Sequence, residues 1–537
     1  MQEDTVKQIA KAVIFAILLA LMICLLSNLF TPNKLTKRED CIHKIYEQPK
    51  DTAQVLCVGA STVLTGISSD YLYEHFGMSV FNAASSQQPT FTSLYVLKEL
   101  LANQKNTDLV IVDVSPLVGL EDEQTLANRA MADYSDMRFS PNKFEFLFDA
   151  DKRYEKVGIK RELELIPILK YHSRWNELTD ADYGHVGFDD GGNYAHGQLI
   201  WRRSYQSNIT QKRAGEFTDE RNVEITDSRD FPDEKLREAW NKTNIDALDM
   251  LIELCQANSI DVLFLRTPTS EWGDLQHDSI MLLAETYNVP FLDLSMPNLF
   301  ATCGLDYDAD FYDGKHCNIL GSEKVSQYLG EYLANSYSLT DLRNDPSLSY
   351  MEEDLKTYHS MVNDAQLMTC TNIDEYLDLI DNDEYTVFVS VKGDAAAALD
   401  ESTRAKLADL GFKKLAKINE GESYVGIRDA GRVGREVIAA DGDGVSLEGQ
   451  YRDGKVVLRE LNLQANAFLT DAFSLTSSSS KSEITINGGK RSENYRGINF
   501  AVYNSRRGLL LDTSSFGTHK GPDRTSDLPP SETADKA

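Results

Sequence analysis

The sequence predicts an α/β fold: a parallel sheet with helices on both faces, preceded by an apolar N-terminal helix and followed by a smaller β-rich α+β region. Three observations carry this. From about Gln54 to Tyr337, short apolar runs alternate with amphipathic stretches, the pattern of repeated βα units. Ala12 to Phe30 is free of charge and rich in Leu, Ile, Ala and Phe, long enough to cross a hydrocarbon core as a helix. After about Ser338 strands and turns take over, with Asp-Gly turn signals beginning at Asp441, Asp443 and Asp453.

The bounds of the chain narrow its chemistry. With 537 residues it is expected to hold more than one domain. A formal net charge of −30 argues against nucleic acid as a partner, since no basic patch interrupts the acidity to neutralise phosphates. The seven cysteines are scattered with no Cys-x-x-Cys spacing, so neither a disulfide framework nor a zinc site is expected, and no cofactor or metal is called for. The acidic run Asp306-x-Asp308-x-Asp310 has Phe311 where a calcium loop needs Gly and Cys317 where it needs Glu, and is expected to be a solvated loop.

Residues 1–33 read as a short tail and an uncleaved signal anchor, because Ser27-Asn28-Leu29 offers no small-x-small cleavage site. Lys7 and Lys11 precede the span and Lys34, Lys37 and Arg38 follow it, so flanking charge does not choose an orientation. The large body after a short tail makes the expectation a single-pass cell-membrane protein, with the bulk of the chain extracytoplasmic.

Within residues 50–340, strands are expected at Val55 to Val58, Ser79 to Asn82, Asp108 to Val114, Asp261 to Arg266 and Val289 to Leu294. Helices are expected at Ser93 to Asn103, Ile245 to Ala257, Ser279 to Tyr287 and Ser322 to Leu333. Open sheets of this kind bind ligands outside the carboxyl ends of their strands. There the chain has Gly59-Ala60-Ser61, a turn of small residues before a helix near Ser69, then Asn82-Ala83-Ala84-Ser85, Ser115 and Thr267. Asp313 and His316 follow the last strand. A serine is a weak nucleophile until a base takes its proton and a carboxylate fixes that base's tautomer, so Ser61, His316 and Asp313 are the catalytic candidates.

The order Gly59-Ala60-Ser61, Asn82 to Ser86, and Asp313-x-x-His316 resembles the SGNH (GDSL-like) hydrolase superfamily, and most of all its membrane-anchored bacterial branch of teichoic-acid and exopolysaccharide acylation. The resemblance implies a flavodoxin-like SGNH domain in which Ser61 attacks an ester carbonyl, His316 takes its proton and Asp313 orients the imidazole. It implies a polysaccharide or acylated-glycan substrate and a membrane-embedded acyl-donating protein as a partner. Two departures stand out. Ala60 replaces the Asp of the GDSL form, and Asp108 to Pro116 carries no Gly-x-Asn-Asp, so the usual oxyanion-hole Asn is absent. Oxyanion stabilisation then falls to the backbone N–H of Ser61 or Thr62 and to the Asn82 to Ser86 turn, with Asn82 and Ser85 the candidates there. Each residue also has a plain structural reading: Ser61 as a helix cap, His316 as a loop residue, Asn82 as a turn former.

An insertion at about 117–240 interrupts the alternation. Its densest cluster, Lys170 to Trp175, makes His172, Arg174 and Trp175 candidates for substrate binding, with a small aromatic core as the plainer reading. Residues 341–369 read as a helical connector and 370–518 as a second domain, with a loop at Ser474 to Ser482. In that domain Glu384 to Gly411, Glu422 to Ile427 and Ile484 to Phe516 resemble the interleukin-like epithelial-mesenchymal transition inducer domain, with the last segment displaced from first place as in a circular permutation. This implies carbohydrate or partner binding. Residues 519–537 are expected to be disordered. The functions in view are a serine O-acyl esterase or O-acyltransferase, and, alternatively, a non-catalytic glycan-binding or polysaccharide-assembly scaffold.

Overall fold

The computed structural model describes residues 2–29, 42, 44–46, 48–119, 123–138, 140–154, 193–196, 198–200, 231–429, 431–440, 443–452, 455–458, 462–464, 472–486, 488–492, 494–504 and 509–524. Helix α1 (Gln2–Leu29) contains the window Val6–Ile23, whose mean hydropathy is 2.1 and none of which is buried. It is long and apolar enough to cross a membrane. The chain divides into two compact units, and the described residues pass from the first to the second between His359 and Ser360.

The first unit is built on β1 (Val55–Val58), β2 (Val80–Asn82), β3 (Leu109–Asp113), a separate hairpin of β4 (Asn193–Ala195) and β5 (Gln198–Ile200), then β6 (Asp261–Arg266) and β7 (Phe291–Asp293). Five of these make one sheet in the order β2-β1-β3-β6-β7, every pair parallel. Along β1, Leu56 and Val58 enter one core with Phe91, Leu248 and Phe264. Val55 and Cys57 enter the other with Val63, Leu263 and Leu329. A strand apolar on both faces is what a sheet covered on both sides requires. The cover comes from α2 (Ser61–Gly66), α3 (Ser69–Phe76), α4 (Thr90–Asn103), α5 (Lys242–Ala257), α6 (Asp274–Tyr287) and α7 (Ile319–Ser336).

Several boundaries differ from the sequence expectation, for local reasons. Helix α4 starts at Thr90 instead of Ser93, since Phe91 stands alone as an apolar residue among Thr90, Thr92 and Ser93 and sets no period, and the turn is completed from outside: Thr90 N donates to Asn244 Oδ1 at 3.1 Å. The acidic run is not wholly solvated. Asp310 is buried, and its Oδ2 accepts from Asp306 N and Lys324 Nζ, each at 2.7 Å, which fastens the loop to α7.

The hairpin belongs to the insertion and docks on the sheet edge. Asn82 N donates to His196 O at 2.9 Å, Gln198 Nε2 donates to Ser322 Oγ at 3.1 Å, and Leu199 joins the second core. The His196 ring lies between two carboxylates, with Nε2 3.6 Å from Asp70 Oδ1 and 3.2 Å from Asp354 Oδ2. Burial pushes the imidazole pKa down, but the Asp70 charge and the Asp354 hydrogen bond and charge outweigh it, and the pKa is raised above 6.5. A histidine raised on folding contributes its full stability below its unfolded pKa and loses it as pH rises through the folded value. Amide exchange in Gln198–Ile200 is therefore expected to accelerate above about pH 6.5 beyond the intrinsic base-catalysed rate. His196→Gln should remove that extra acceleration; its absence from the parent chain would dismiss the latch.

The second unit contains α8 (Met351–Thr369) from Ser360 onward, α9 (Ile373–Leu379), β8 (Tyr385–Lys392), α10 (Glu401–Asp409), β9 (Ser423–Asp429) and β10 (Arg432–Ala439). There follow β11 (Val445–Arg452), β12 (Lys455–Leu458), β13 (Asn462–Gln464), β14 (Ala472–Ser477), β15 (Ser482–Ile486), β16 (Gly489–Lys490), β17 (Gly497–Asn504) and β18 (Leu509–Phe516). They form two antiparallel sheets, β10-β9-β8-β17-β18 and β13-β12-β11-β14-β15-β16. Val387 and Val389 of β8 face a core with α9 and α10, and Phe388 faces the other sheet through Phe473, Leu475 and Ile484.

Two expectations fail here. Ser474 to Ser482 is not a loop throughout but ends β14, turns, and opens β15: Ser474 and Thr476 alternate with the buried Phe473, Leu475 and Ser477, and the buried Ser477 Oγ donates to Val391 O at 2.5 Å. The expected disordered tail is ordered as far as Arg524. That side chain is buried, with Nη2 2.7 Å from Asp512 Oδ1 and Nη1 donating to Met368 O at 3.0 Å. Residues 525–537 lie outside the described residues.

Candidate active site

The turn after β1 is set by how close β3 runs beside it. Gly59 has φ +141°, and a Cβ there would lie 2.1 Å from the Cβ of Asp113. Only glycine fits. The Asp113 carboxylate then gathers the strand ends: Oδ2 accepts from Ala60 N at 2.9 Å and Ser115 Oγ at 2.7 Å, and Oδ1 accepts from Ser115 N at 2.9 Å. Gly59 N donates to Gln88 Oε1 at 3.1 Å, and Ser93 Oγ holds the same oxygen at 2.7 Å.

The helix expected near Ser69 is present as α3, and a further short helix, α2, opens at Ser61 itself. Ser-Thr-Val-Leu-Thr-Gly carries little helix propensity, and α2 is held by tertiary burial of Val63 and Leu64. Ala60 is the extended N-cap, without a side-chain cap, so the N–H groups of the first turn have no acceptor within the helix.

His316 arrives from the far end of the sheet on a loop pinned at several points. Phe311 and Cys317 form an antiparallel bridge, Tyr312 N donates to His316 O at 2.8 Å, and Ser270 Oγ donates to Gly314 O at 2.6 Å. Asn318 caps α7 directly after it, its side chain accepting from Gly321 N. The loop brings His316 Nε2 to 2.8 Å from Ser61 Oγ, although 255 residues separate the two in sequence. On the other side of the ring, Nδ1 lies 2.9 Å and 3.0 Å from the two Asp313 oxygens. A proton on Nδ1 donated to Asp313 leaves the Nε2 lone pair to accept the Ser61 hydroxyl proton.

Asp313 is kept ionised. Burial pushes its carboxyl pKa up, but the His316 hydrogen bond and charge and the N–H groups of Lys315 and His316 outweigh that, and the pKa lies below the usual carboxylate value. Its contribution is present above the unfolded pKa of about 4 and is lost as pH falls through the lower folded value.

Ser61, Thr62 and His316 line an open cleft of about 290 Å³ together with Ser115 and Arg266. The other oxyanion candidates do not reach it. Asn82 is wholly buried and ties the turn, its Nδ2 donating to Val63 O at 2.9 Å and its Oδ1 accepting from Ala84 N at 3.2 Å. Ser85 is equally buried, its Oγ bonded to Asp133 Oδ1 at 3.4 Å and to Gln88 Nε2 at 3.1 Å. A polar residue at a strand end serves the backbone around it as readily as a ligand, and the sequence does not separate these uses.

No family model, curated protein or solved structure matches this chain. The reading of the site therefore stands on its own geometry and chemistry. His172, Arg174 and Trp175 lie outside the described residues. Three further residues shape the site that the sequence analysis does not name: Asp113, Gln88 and Arg266. Asp113 and Arg266 each follow a buried apolar run at the carboxyl end of a strand, and a charge in that place is the available signal.

Proposed function

We propose that the first unit is an SGNH-type serine O-acyl esterase or O-acyltransferase. The observation that carries this is the continuous chain from Ser61 Oγ to His316 Nε2 and from His316 Nδ1 to Asp313, opening on a cleft. The parallel order β2-β1-β3-β6-β7, with these residues outside the carboxyl ends of the strands, supports the same reading. The cleft is at the small end of ligand sites, which run from roughly 300 to 1,000 Å³, and suits a short acyl ester.

In the first half-reaction Ser61 Oγ forms a bond to the acyl carbon while its proton passes to His316 Nε2. The tetrahedral intermediate collapses as the bond to the leaving alcohol breaks, and His316 returns the proton to that alcohol. The resulting acyl-serine is resolved by water in an esterase or by a sugar hydroxyl in a transferase. The polysaccharide substrate, the extracytoplasmic site at a membrane anchored through α1, and the acyl-donating membrane partner come from the resemblance to the membrane-anchored acylation branch. The second unit then serves as a glycan- or partner-binding accessory.

One observation favours a second reading. Neither Asn82 nor Ser85 can supply the donor that the missing Asn would provide, which suits a non-catalytic glycan-binding or assembly scaffold. Intact-mass measurement of the full chain in detergent with p-nitrophenyl acetate separates the two. An acetyl adduct on Ser61, absent from Ser61→Ala, is the expected result. No adduct and no turnover above the variant would leave the scaffold.

A further inference from the structure

The cleft holds a buried cation that the proposed chemistry has not used. Arg266 ends β6 and is only 4 % exposed, yet it lines the cleft beside Ser61. Its Nη1 donates to Thr62 Oγ1 at 3.0 Å and lies 3.7 Å from Asp113 Oδ1. The guanidinium sits 4.7 Å over the Trp272 ring. Trp272 is fixed in turn by its Nε1 hydrogen bond to Asp293 Oδ2 at 2.8 Å, an oxygen also 2.7 Å from His277 Nδ1. The cation is thus clamped from two sides. Its Nε has no acceptor among the described residues. A guanidinium buried with a donor idle is a poor structural element, because apolar residues of similar volume fill such a place at least as well.

What the clamp does is present Thr62. The Thr62 oxygen accepts from Arg266, which leaves its own O–H to donate. A hydroxyl whose oxygen already accepts from a cation is a stronger donor, since each bond polarises the next. Thr62 follows Ser61 directly and lines the same cleft.

We propose that Arg266 is a positioning residue for ester attack: it fixes and polarises the Thr62 hydroxyl, which takes the place of the missing Asn as side-chain donor to the oxyanion. This rests on the esterase reading. When Ser61 Oγ bonds to the acyl carbon and its proton moves to His316 Nε2, the carbonyl π pair moves onto the carbonyl oxygen, and the Thr62 O–H hydrogen-bonds to that oxygen. The pair returns to the carbon as the bond to the leaving alcohol breaks and His316 protonates that alcohol. The Thr62 proton stays on Thr62 throughout. A donor matched to an oxygen that becomes charged only in the transition state raises kcat and leaves KM nearly unchanged.

The test is steady-state hydrolysis of p-nitrophenyl acetate by the full chain in detergent, with thermal melting of every variant. Thr62→Val removes the hydroxyl and keeps the shape; Arg266→Gln removes the cation. Each is expected to lower kcat by about 10- to 100-fold, with KM held within about twofold. Thr62→Ser and Arg266→Lys should recover most of the rate. The double variant should be no slower than Thr62→Val alone, because Arg266 acts through Thr62.

Independent losses in the double variant, or a raised KM at unchanged kcat in Arg266→Gln, would mean that Arg266 meets the substrate itself and overturn the inference. So would full activity in Thr62→Val, whatever Arg266→Gln does to folding. If the parent chain acetylates Ser61 and Thr62→Val does so equally fast, only this inference falls. If the parent forms no acetyl-serine, the esterase reading falls and takes this one with it.

Discussion

On the esterase reading, His316→Ala is expected to lower turnover of p-nitrophenyl acetate by roughly 10⁴- to 10⁶-fold, and adding Ser61→Ala to it should cost little more. The size follows from the geometry. Nε2 is the only base within hydrogen-bond distance of Ser61 Oγ among the described residues, and Asp313 engages only the far side of the ring. Without the imidazole, the serine hydroxyl would have to lose its proton to water at neutral pH. The two side chains act as one unit, so their losses do not add. Release of p-nitrophenol from p-nitrophenyl acetate reads both effects. His316 is half-buried on a pinned loop, so the melting midpoint should move little. Additive losses, or acylation of His316→Ala at the parent rate, would remove this pair from the chemistry.

The second large effect is on the fold. Gly59→Ala is expected to destabilise the first unit by about 3 kcal/mol or more, through a forbidden backbone conformation and a collision with β3. The φ of +141° disfavours any side chain, and the added Cβ would stand 2.1 Å from Asp113 Cβ. Because Cβ is the atom met, Asp113→Ala gives no relief. Asp113→Gly relieves the collision and recovers part of the melting midpoint, but it also removes the acceptor of Ala60 N and so does not restore a well-placed Ser61. A Gly59→Ala chain that melts with the parent would show that β1 and β3 can part at this point.

The outline of the first unit was legible because its strands are buried on both faces. Val55 to Val58 is a continuous apolar run and Asp261 to Arg266 encloses one, Val262 to Leu265, and both strands appear with the expected bounds. The serine, the histidine and the aspartate were legible as residue types in a chain order that a doubly wound sheet brings together. The less visible features are held by partners distant in sequence. Helix α2 lacks propensity and exists through burial, and the first turn of α4 is completed by Asn244. Arg524 lies within a polar stretch and finds a buried carboxylate at Asp512. Asn82 shows the opposite difficulty. Its position beside the cleft was readable, but not that its amide already serves Val63 O.

The 255-residue separation of Ser61 and His316 also bears on when the protein becomes reactive. During synthesis at about 5–20 residues per second, the serine waits roughly 13–50 s before the ribosome adds its base. The pair then forms only after β6 and β7 have joined the sheet, since the His316 loop leaves from the far side of those strands. On the proposed esterase reading, a chain that ends before Asp313 carries Ser61 without its base. On that reading, chemical reactivity of Ser61 is therefore expected to report completed assembly of the first unit, and a chain halted anywhere before Asp313 is expected to leave activated esters untouched.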